Sequence, residues 1–546
     1  MMRPAVLVLL AVAVVPTVAG LSAAVVLGLD GQALQRVIAT PGVGMSIASS
    51  VWSGLVATLV SLFLAHLAVA LAMAGDWQGR LARLTLPLLA MPHLAVGIGL
   101  ALVLAPSGLL MRLLSPWATG FELPPDWLTV RDPAGLSLIA GLVIKETCFL
   151  ILALTAALAQ VPATRLLSQA RTLGYSPLRG WLLAVAPLLQ RRIRLPVAAV
   201  AVFGMTNVEL AIPLGPDLPP TFSVLLWRWF IDPDPAMHAQ AYAGTLVLFA
   251  VSLLAIAGIA ALGRLAGTLG ERSAASGARW TGERPWRRLA RAVLLSFWLL
   301  GLLAVVAILL RSAAGTWRFP SVLPTGDLLA AWRDVLPIAG GVAGTTLILA
   351  VATAIVGVAL TLPAAEACHE GPLTRRAVGA WLFLPLLVPQ MTFLFGVSVL
   401  LARLRIDGTF VAVLWSHLIF ALPYLWALLA PARAALDPRY VRVARTLGAT
   451  PSSAWWRVTA PMLARPTLLA FALAFSVSIA LYLPTLFAGA GRIATSATEA
   501  AGAAGSGSLR LAAVHAILLA LAPLIAFAGA YGAGGVIGRH RQGLSP

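Results

Sequence analysis

The sequence predicts an all-α integral membrane protein with twelve transmembrane helices in two tandem sets of six. Three observations favour it. The apolar residues make up 60% of the 546 positions and charged residues only 10%, and mean hydropathy is +0.94. A soluble globular chain carries about 25% charged residues, so lipid must face most of this surface. Finally, apolar runs of about 20 residues, the length that crosses a bilayer, recur along the whole chain.

A polar stretch divides the apolar runs into two sets. Positions 270–289 are rich in Gly, Ser and Arg and lack an apolar stripe, which indicates a cytoplasmic linker. The predicted organisation is a first repeat at 1–269, the linker at 270–289, and a second repeat at 290–546. The predicted spans lie near 4–28, 46–74, 84–106, 136–159, 194–215, 241–264, 290–310, 336–362, 378–404, 410–430, 466–490 and 509–537.

The net charge of +19 does not indicate a nucleic-acid partner, because the arginines concentrate in short loops between apolar runs. That distribution follows the positive-inside rule, and the loops after spans four and ten are the most basic. We therefore expect a multi-pass protein of the cell inner membrane with both termini in the cytoplasm. Arg3 precedes the first run, and Arg539, His540 and Arg541 follow the last. The first run is interpreted as an uncleaved span rather than a signal peptide.

An internal repeat appears directly after spans four and ten. Residues 170–190 and 444–464 are offset by 274 positions, and ten of their twenty-one positions are identical, beginning with the shared string Ala-Arg-Thr-Leu-Gly. Apolar bias alone does not place a polar, arginine-containing string at the same point of two six-span sets. The pattern indicates a duplicated transport unit.

The repeated segment predicts a sharp elbow between two helices. A helix ends at Leu173, and Gly174 supplies the left-handed position that follows a helix end. Ser176 then offers a capping hydroxyl directly before Pro177, a residue suited to the first turn of a helix. Pro187 is expected to close that second helix. The matching positions of the second repeat are Leu447, Gly448, Thr450, Pro451 and Pro461.

Residues 168–187 and 442–461 resemble the cytoplasmic coupling loop of binding-protein-dependent ABC importer permeases. That family's signature is Glu-Ala-Ala, three residues, Gly, nine residues, then Ile-x-Leu-Pro, and both copies keep its thirteen-residue spacing from Gly to Pro. Ser168 and Arg442 replace the glutamate, which puts in doubt any salt bridge made by that residue. The resemblance covers the whole chain as two tandem permease units and is closest to fused permeases of the thiamine and ferric-iron import type.

The resemblance implies a transport subunit for a thiamine-like cation or ferric iron. Its implied partners are a cytoplasmic ABC ATPase dimer, a substrate-binding protein outside the cytoplasm, and the lipid bilayer. No cofactor and no catalytic residue on this chain are implied. The residues implied to couple the permease to the ATPase are Ala170, Arg171, Gly174, Ser176, Pro177, Trp181 and Pro187, with Ala444, Arg445, Gly448, Thr450, Pro451, Trp455 and Pro461.

The sequence itself contains no ATP-hydrolysing motif. A phosphate-binding loop needs a lysine, and the only lysine, Lys145, lies within span four. No His, Cys, Asp and Glu cluster has metal-ligand spacing. ATP hydrolysis is therefore expected on a partner chain.

Polar residues inside the apolar runs are candidates for a translocation path. Such residues are costly in lipid and face the interior of a helix bundle or a pathway, although pairing with a neighbouring helix explains them equally well. Pro92 and Pro389 are expected to break spans three and nine and to open cavity-lining backbone there. The candidates are His93, Asn207, Glu209, Gln390 and His417.

Two alternatives stay open. The repeated helix after each elbow also suits an interfacial helix on anionic lipid. A twelve-span secondary transporter driven by an ion gradient is the alternative function, and its support is the loop at 75–80, which loosely resembles a major-facilitator loop but has no copy in the second half.

Overall fold

The structure is a computed structural model and describes residues 4–76, 78–279, 282–325, 330–369 and 371–539. Over these ranges the regular structure is helical, and two isolated β-bridges are the only strand-like pairings. The predicted all-α class is confirmed. Arg3, His540 and Arg541, used to predict the orientation of the chain ends, lie outside the described residues, as does Trp77 of the loop at 75–80.

The first half of the chain forms fourteen α-helices and two π-helical turns. The π turns are Ala72–Asp76 and Trp181–Val185. The α-helices are α1 (Pro4–Gly28), α2 (Gly31–Ala39), α3 (Val43–Leu71), α4 (Gln78–Ala90), α5 (His93–Leu104), α6 (Leu109–Leu114), α7 (Leu136–Leu158), α8 (Ala163–Thr172), α9 (Pro177–Gly180), α10 (Ala186–Arg192), α11 (Arg194–Thr206), α12 (Ala211–Leu214), α13 (Phe222–Ile231) and α14 (Pro235–Ala275).

The second half adds eleven α-helices over its described residues and a third π-helical turn, Trp455–Thr459. The α-helices are α15 (Arg284–Ala313), α16 (Ala330–Cys368), α17 (Pro372–Leu387), α18 (Gln390–Arg403), α19 (Phe410–Ala435), α20 (Pro438–Thr446), α21 (Pro451–Ala454), α22 (Ala460–Ala480), α23 (Leu483–Gly489), α24 (Ser496–Gly505) and α25 (Leu509–Arg539).

Ten helices of the described chain are long and apolar enough to cross a membrane, or eleven if the bent pair α17 and α18 counts as one span. The prediction of twelve spans is therefore not confirmed. Predicted span five is the one that is missing when the bent pair counts as a span, because its helix α11 has only 13 residues. The chain leaves the helix at Asn207, whose side-chain oxygen accepts a hydrogen bond from the Leu210 amide (2.6 Å) and starts the short helix α12.

The breaks predicted at Pro92 and Pro389 are confirmed. Helix α4 ends at Ala90 and α5 begins at His93. Helices α17 and α18 meet at an angle of 99°. Because proline lacks an N–H group and crowds the preceding turn, each break leaves backbone carbonyls that need donors from elsewhere.

Lys145 supplies those donors at the first break. Its ammonium group lies within 3.0 Å of the carbonyl oxygens of Leu88, Leu89 and Met91 and donates a hydrogen bond to each. The side chain is buried, with 3% of its surface exposed. An ammonium group has three N–H donors, so these three hydrogen bonds to carbonyls at the break after α4 use all of them.

Internal contacts divide the chain into two compact units. One holds Met1–Ala24, Val335–Glu499 and Leu518–Pro546, and the other holds Val25–Asp334 and Ala500–Ile517. These units cut across the predicted repeats: α1 belongs with most of the second repeat, while α15, the first helix after the linker, belongs with most of the first. The boundaries predicted for the two repeats, which rest on the duplicated sequence, stay a prediction.

Close backbone approach fixes these two helices within their units. In the first unit α1 meets α18, where a Cβ on Gly20 or on Gly396 would overlap the backbone of the opposite helix. The Trp415 indole N–H also donates to the Val12 carbonyl of α1 (2.9 Å). In the second unit α15 packs against α5, and a Cβ on Gly99 would lie 2.8 Å from the Ala304 carbonyl oxygen. Small residues permit this packing in a membrane.

Helices extend into the predicted linker from both sides. Helix α14 continues to Ala275 and α15 begins at Arg284, so residues 276–283 connect them. Positions 280 and 281 lie outside the described residues. The remainder of the linker packs against the segment that follows α8, as shown below.

Candidate functional site

The first elbow, defined as residues 170–187, turns through a left-handed glycine as predicted. Helix α8 ends with Leu173 as its cap, and Gly174 has φ +81°. The Gly174 amide donates to the Arg171 carbonyl (2.9 Å) and the Tyr175 amide to the Ala170 carbonyl (3.0 Å). These two bonds form a Schellman motif, which satisfies the last carbonyls of a helix.

The second elbow, defined as residues 444–461, repeats that geometry. Gly448 has φ +88°. Its amide donates to the Arg445 carbonyl and the Ala449 amide to the Ala444 carbonyl, both at 3.0 Å. The same two bonds therefore close both elbows, 274 positions apart in sequence, and the predicted backbone geometry is confirmed in each.

The two elbows differ in how the next helix begins. Thr450 caps its helix as predicted, because its hydroxyl oxygen accepts from the Ser453 amide (3.2 Å). The corresponding prediction for Ser176 is wrong. The Ser176 hydroxyl instead donates to a carboxylate oxygen of Glu283 (3.1 Å), and the same oxygen accepts from the Leu178 amide (2.7 Å). A carboxylate is the stronger acceptor near a helix N-terminus, so it takes the capping position.

Pro187 and Pro461 do not close their helices, which corrects a second prediction. In each repeat the helix widens into a π turn just before the proline and then continues. The Ala186 amide donates to the Trp181 carbonyl, and the Ala460 amide to the Trp455 carbonyl. A proline inside a helix has no N–H and crowds the carbonyl four residues earlier, and the wider turn accommodates it.

The predicted coupling residues fall into a buried and an exposed set. Trp181 is 2% exposed, and its ring lies edge-on to His66 with centroids 6.2 Å apart. Ala170 is buried, and a Cβ on Gly180 would lie 3.0 Å from the Cβ of Ala170, so the helices on the two sides of the elbow touch. The exposed members are Arg171, Gly174, Pro187, Arg445, Gly448, Thr450 and Pro451; Ser176, Pro177, Ala444, Trp455 and Pro461 are half-buried.

Beside the break in span three, the His93 ring lies close to the buried Glu146 carboxyl group. The His93 ring nitrogen lies 3.6 Å from a Glu146 carboxylate oxygen. The His93 ring also contacts Phe203, with centroids 4.7 Å apart. Lys145, one position along α7, faces the carbonyls of the break instead. These groups lie in one unit and bring ionisable side chains from α5 and α7 together.

Asn207 and Glu209 stand at the end of α11 in the same unit. The Asn207 side chain is buried and serves its own backbone, as described for the break in span five. Glu209 is half-buried and interacts electrostatically with Lys145. Of these two candidates, only Glu209 keeps a partly accessible side chain beside the buried charges.

His417 and Gln390 belong to the other unit. The His417 ring is 1% exposed, and both nitrogens are hydrogen-bonded, one to the Ser478 hydroxyl and one to the Thr485 hydroxyl, each at 2.8 Å. The Thr485 hydroxyl donates to the Leu481 carbonyl and therefore accepts from the histidine. In this arrangement no ring nitrogen of His417 is available to a solute. Gln390 is half-buried at the start of α18.

Sequence reasoning missed three polar residues that hold distant segments. Arg112 is buried and donates to the carbonyls of Ser107, Trp317, Arg318 and Ser321. Arg433 pairs with Glu366 through two hydrogen bonds, and Glu283 caps the first elbow. Their partners lie up to 209 positions away, so no local pattern could identify them. Among the described residues no group of three or more His, Cys, Asp or Glu side chains could hold a metal ion.

Comparison with known proteins agrees with a membrane permease. No protein-family model matches the chain. The chain is similar to the inner membrane ABC transporter permease protein YnjC of Escherichia coli (strain K12), with 30% identity over 518 residues. The match covers 93% of this chain and 92% of the relative, so it includes most of both predicted repeats. The chain therefore belongs to the family of inner-membrane ABC transporter permeases.

Proposed function

We propose that this chain is the permease of an ABC importer, which moves a small solute into the cytoplasm while a separate ATPase dimer hydrolyses ATP. The observation that supports this most directly is the pair of elbows with the same backbone geometry. Two docking segments on one chain provide one for each subunit of an ATPase dimer. Exposed Leu173 and Leu447 place an apolar side chain beside exposed arginines at each elbow.

The direction of transport and the orientation of the chain belong to the same proposal. The arginines of the loops after spans four and ten favour a cytoplasmic position for both elbows, where an ATPase is available. Both termini are then cytoplasmic, and a substrate-binding protein delivers the solute from the opposite side.

A thiamine-like cation or ferric iron is the solute class we propose. Glu146 is 5% exposed and Glu209 is half-buried, and both lie in one unit near the break in span three. Carboxylates kept inside an apolar bundle mark ion or substrate pathways. Glu209 is the group we expect a cation to meet first, because it is the more exposed of the two carboxylates.

Affinity purification of the tagged permease from mild detergent tests the partner. The wild-type protein is expected to bring an ATPase subunit with it. The double variant Gly174→Val/Gly448→Val is expected to lose that subunit while still inserting in the membrane, because a β-branched residue is strongly disfavoured at positive φ. The matched control is Gly174→Asn/Gly448→Asn, since asparagine adopts the left-handed conformation readily, and it is expected to retain the ATPase.

Two results would contradict the proposal. Equal ATPase recovery from the valine and asparagine double variants would remove the elbows from the docking surface. A wild-type preparation without any ATPase, together with uptake that survives ATP depletion and follows a proton gradient, would instead favour a secondary transporter.

A further inference from the structure

The inter-repeat linker is folded onto the first elbow. Glu283 is 8% exposed, and one of its carboxylate oxygens accepts hydrogen bonds from Ser176 and Leu178, as described above. Arg179, 6% exposed, donates to the carbonyl and the hydroxyl of Ser273 at 2.9 and 2.6 Å. A buried carboxylate and a buried guanidinium, one from the linker and one from the elbow helix, thus tie these segments together from both sides.

A third contact lies at the turn itself. The Arg279 side chain passes the left-handed glycine, where a Cβ on Gly174 would lie 3.5 Å from its guanidinium nitrogen. The elbow residues Ser176 and Pro177, together with the linker residues 282–285 and Arg287, line a groove of about 580 Å³. The second carboxylate oxygen of Glu283 is buried and accepts no hydrogen bond from the described residues. The exposed surface at the first elbow is therefore made by both segments.

The second elbow has no equivalent covering over the described residues. Thr450 caps its own helix, and a Cβ on Gly448 would meet no atom within 4 Å. The position that matches Arg179 is Ser453, which has no charge to tie to a linker. Two elbows with the same backbone geometry therefore present different surfaces.

We propose that the linker is part of the first ATPase-docking surface, with Glu283 as the positioning residue that holds the first elbow in its docking conformation. One ATPase subunit then meets elbow and linker together, and the other meets an elbow alone. This inference rests on the proposed function for the identity of the partner. The capping role of Glu283 is independent of that partner.

Hydrogen–deuterium exchange of the purified full-length permease tests the cap without any ATPase. Glu283→Ala is expected to speed exchange of the amides at 178–181 about fivefold, the effect of losing a typical helix cap. Glu271→Ala is the matched control, because Glu271 is an exposed acid at the end of α14 with no hydrogen bond or ion pair to the described residues of the elbow. Unchanged exchange in Glu283→Ala would overturn the inference.

Photo-crosslinking in the assembled complex tests the docking surface. A photoreactive amino acid is placed at Leu173 or at Leu447, which are 61% and 82% exposed at matched points of the two elbows. Glu283→Ala is expected to reduce the crosslink to the ATPase from position 173 several-fold and to leave that from 447 unchanged. Thr450→Ala is expected to do the reverse.

The possible results separate the two proposals. Equal loss from both positions, or loss from neither, in Glu283→Ala would overturn the asymmetric docking surface. Absence of any ATPase crosslink in the wild-type protein would overturn the proposed function and the docking part of this inference, while the exchange experiment would still decide the role of Glu283.

Discussion

Lys145 shows how a charged residue is retained inside an apolar span. The break at Pro92 leaves the carbonyl oxygens of Leu88, Leu89 and Met91 without a backbone N–H donor among the described residues, and lipid offers no water in its place. The lysine brings three donors to that point. The free-energy cost of burying the ammonium group is offset because its three N–H donors match the three carbonyl oxygens left open by the break.

Replacing Lys145 with methionine is expected to destabilise the protein. Lys145→Met keeps the length of the side chain but leaves the carbonyls of Leu88, Leu89 and Met91 buried without a donor, a loss of roughly 3 kcal/mol or more. Thermal unfolding of the purified protein in one detergent measures it. Leu152→Met, at a lipid-facing position of the same helix, is expected to change stability by less than about 0.5 kcal/mol. Equal melting of both variants would contradict the capping role.

What the sequence predicts at this scale depends on the distance between partners. The left-handed conformation of Gly174 and the capping role of Thr450 are predicted correctly because the backbone groups involved lie within a few residues. The capping role predicted for Ser176 is wrong because Glu283, more than a hundred positions away, caps the helix instead. Asn207 is a candidate for the translocation path by sequence, yet its side-chain oxygen accepts a hydrogen bond from the nearby Leu210 amide. The presence of a polar residue in a span does not show whether its side chain bonds to the protein or to a transported solute.

At the scale of elements, a local rule can be right about a break and wrong about its form. Proline predicts a disturbance of the helix at Pro92, Pro187, Pro389 and Pro461. Two of these positions interrupt the helix, while the other two follow a π turn and the helix continues. The difference depends on the packing on either side of the proline, which a sequence pattern does not contain. Predicted span five is likewise interrupted at Asn207, although apolar residues continue on both sides of the break.

The π turn before Pro461 is expected to set which face the second elbow presents. Pro461→Ala restores an N–H that can bond to the Arg457 carbonyl, so the helix can return to regular α geometry. Removing one extra residue from the turn rotates the preceding segment by about 100°, one residue of a 3.6-residue turn. Ala454, 1% exposed, then moves toward solvent.

Cysteine labelling measures that rotation. Ala454→Cys is expected to react with a maleimide on the order of tenfold faster in the Pro461→Ala background, since a protected site becomes accessible. Ser452→Cys, exposed already, serves as the control and is expected to react equally in both. The two native cysteines, Cys148 and Cys368, are buried and add little background. Equal protection of Ala454→Cys in both backgrounds would show that the π turn does not depend on the proline.

At the scale of the whole molecule, the sequence predicts the class of protein and its internal duplication, but not which helices pack together. Hydropathy identifies a helix without identifying its neighbours, because lipid-facing and buried apolar residues look alike. The two compact units show which helices pack together, and hydropathy does not contain that information. Each unit is completed by the first helix of the opposite predicted repeat, through contacts such as that between Gly20 and Gly396.

This exchange of first helices makes a prediction about the two halves of the chain. When the chain is divided after Gly277, an exposed position between α14 and α15, the fragment 278–546 lacks α1 and the fragment 1–277 lacks α15. Each fragment alone is expected to aggregate in detergent, because the close-packed backbone faces that α1 and α15 cover are left open. Co-expressed fragments are expected to purify together as one monodisperse species, since helices that insert separately can still associate.

A single substitution in the intact chain provides the matched test. Gly20→Leu places a side chain against the backbone of α18 and is expected to lower the melting temperature, whereas Val26→Leu, at a position of α1 that is 75% exposed, is expected to leave it unchanged. Recovery of the fragment 278–546 alone as a stable monodisperse protein would contradict the exchange. The same result would make the second predicted repeat an independent folding unit, which is the organisation that the duplicated sequence suggests by itself.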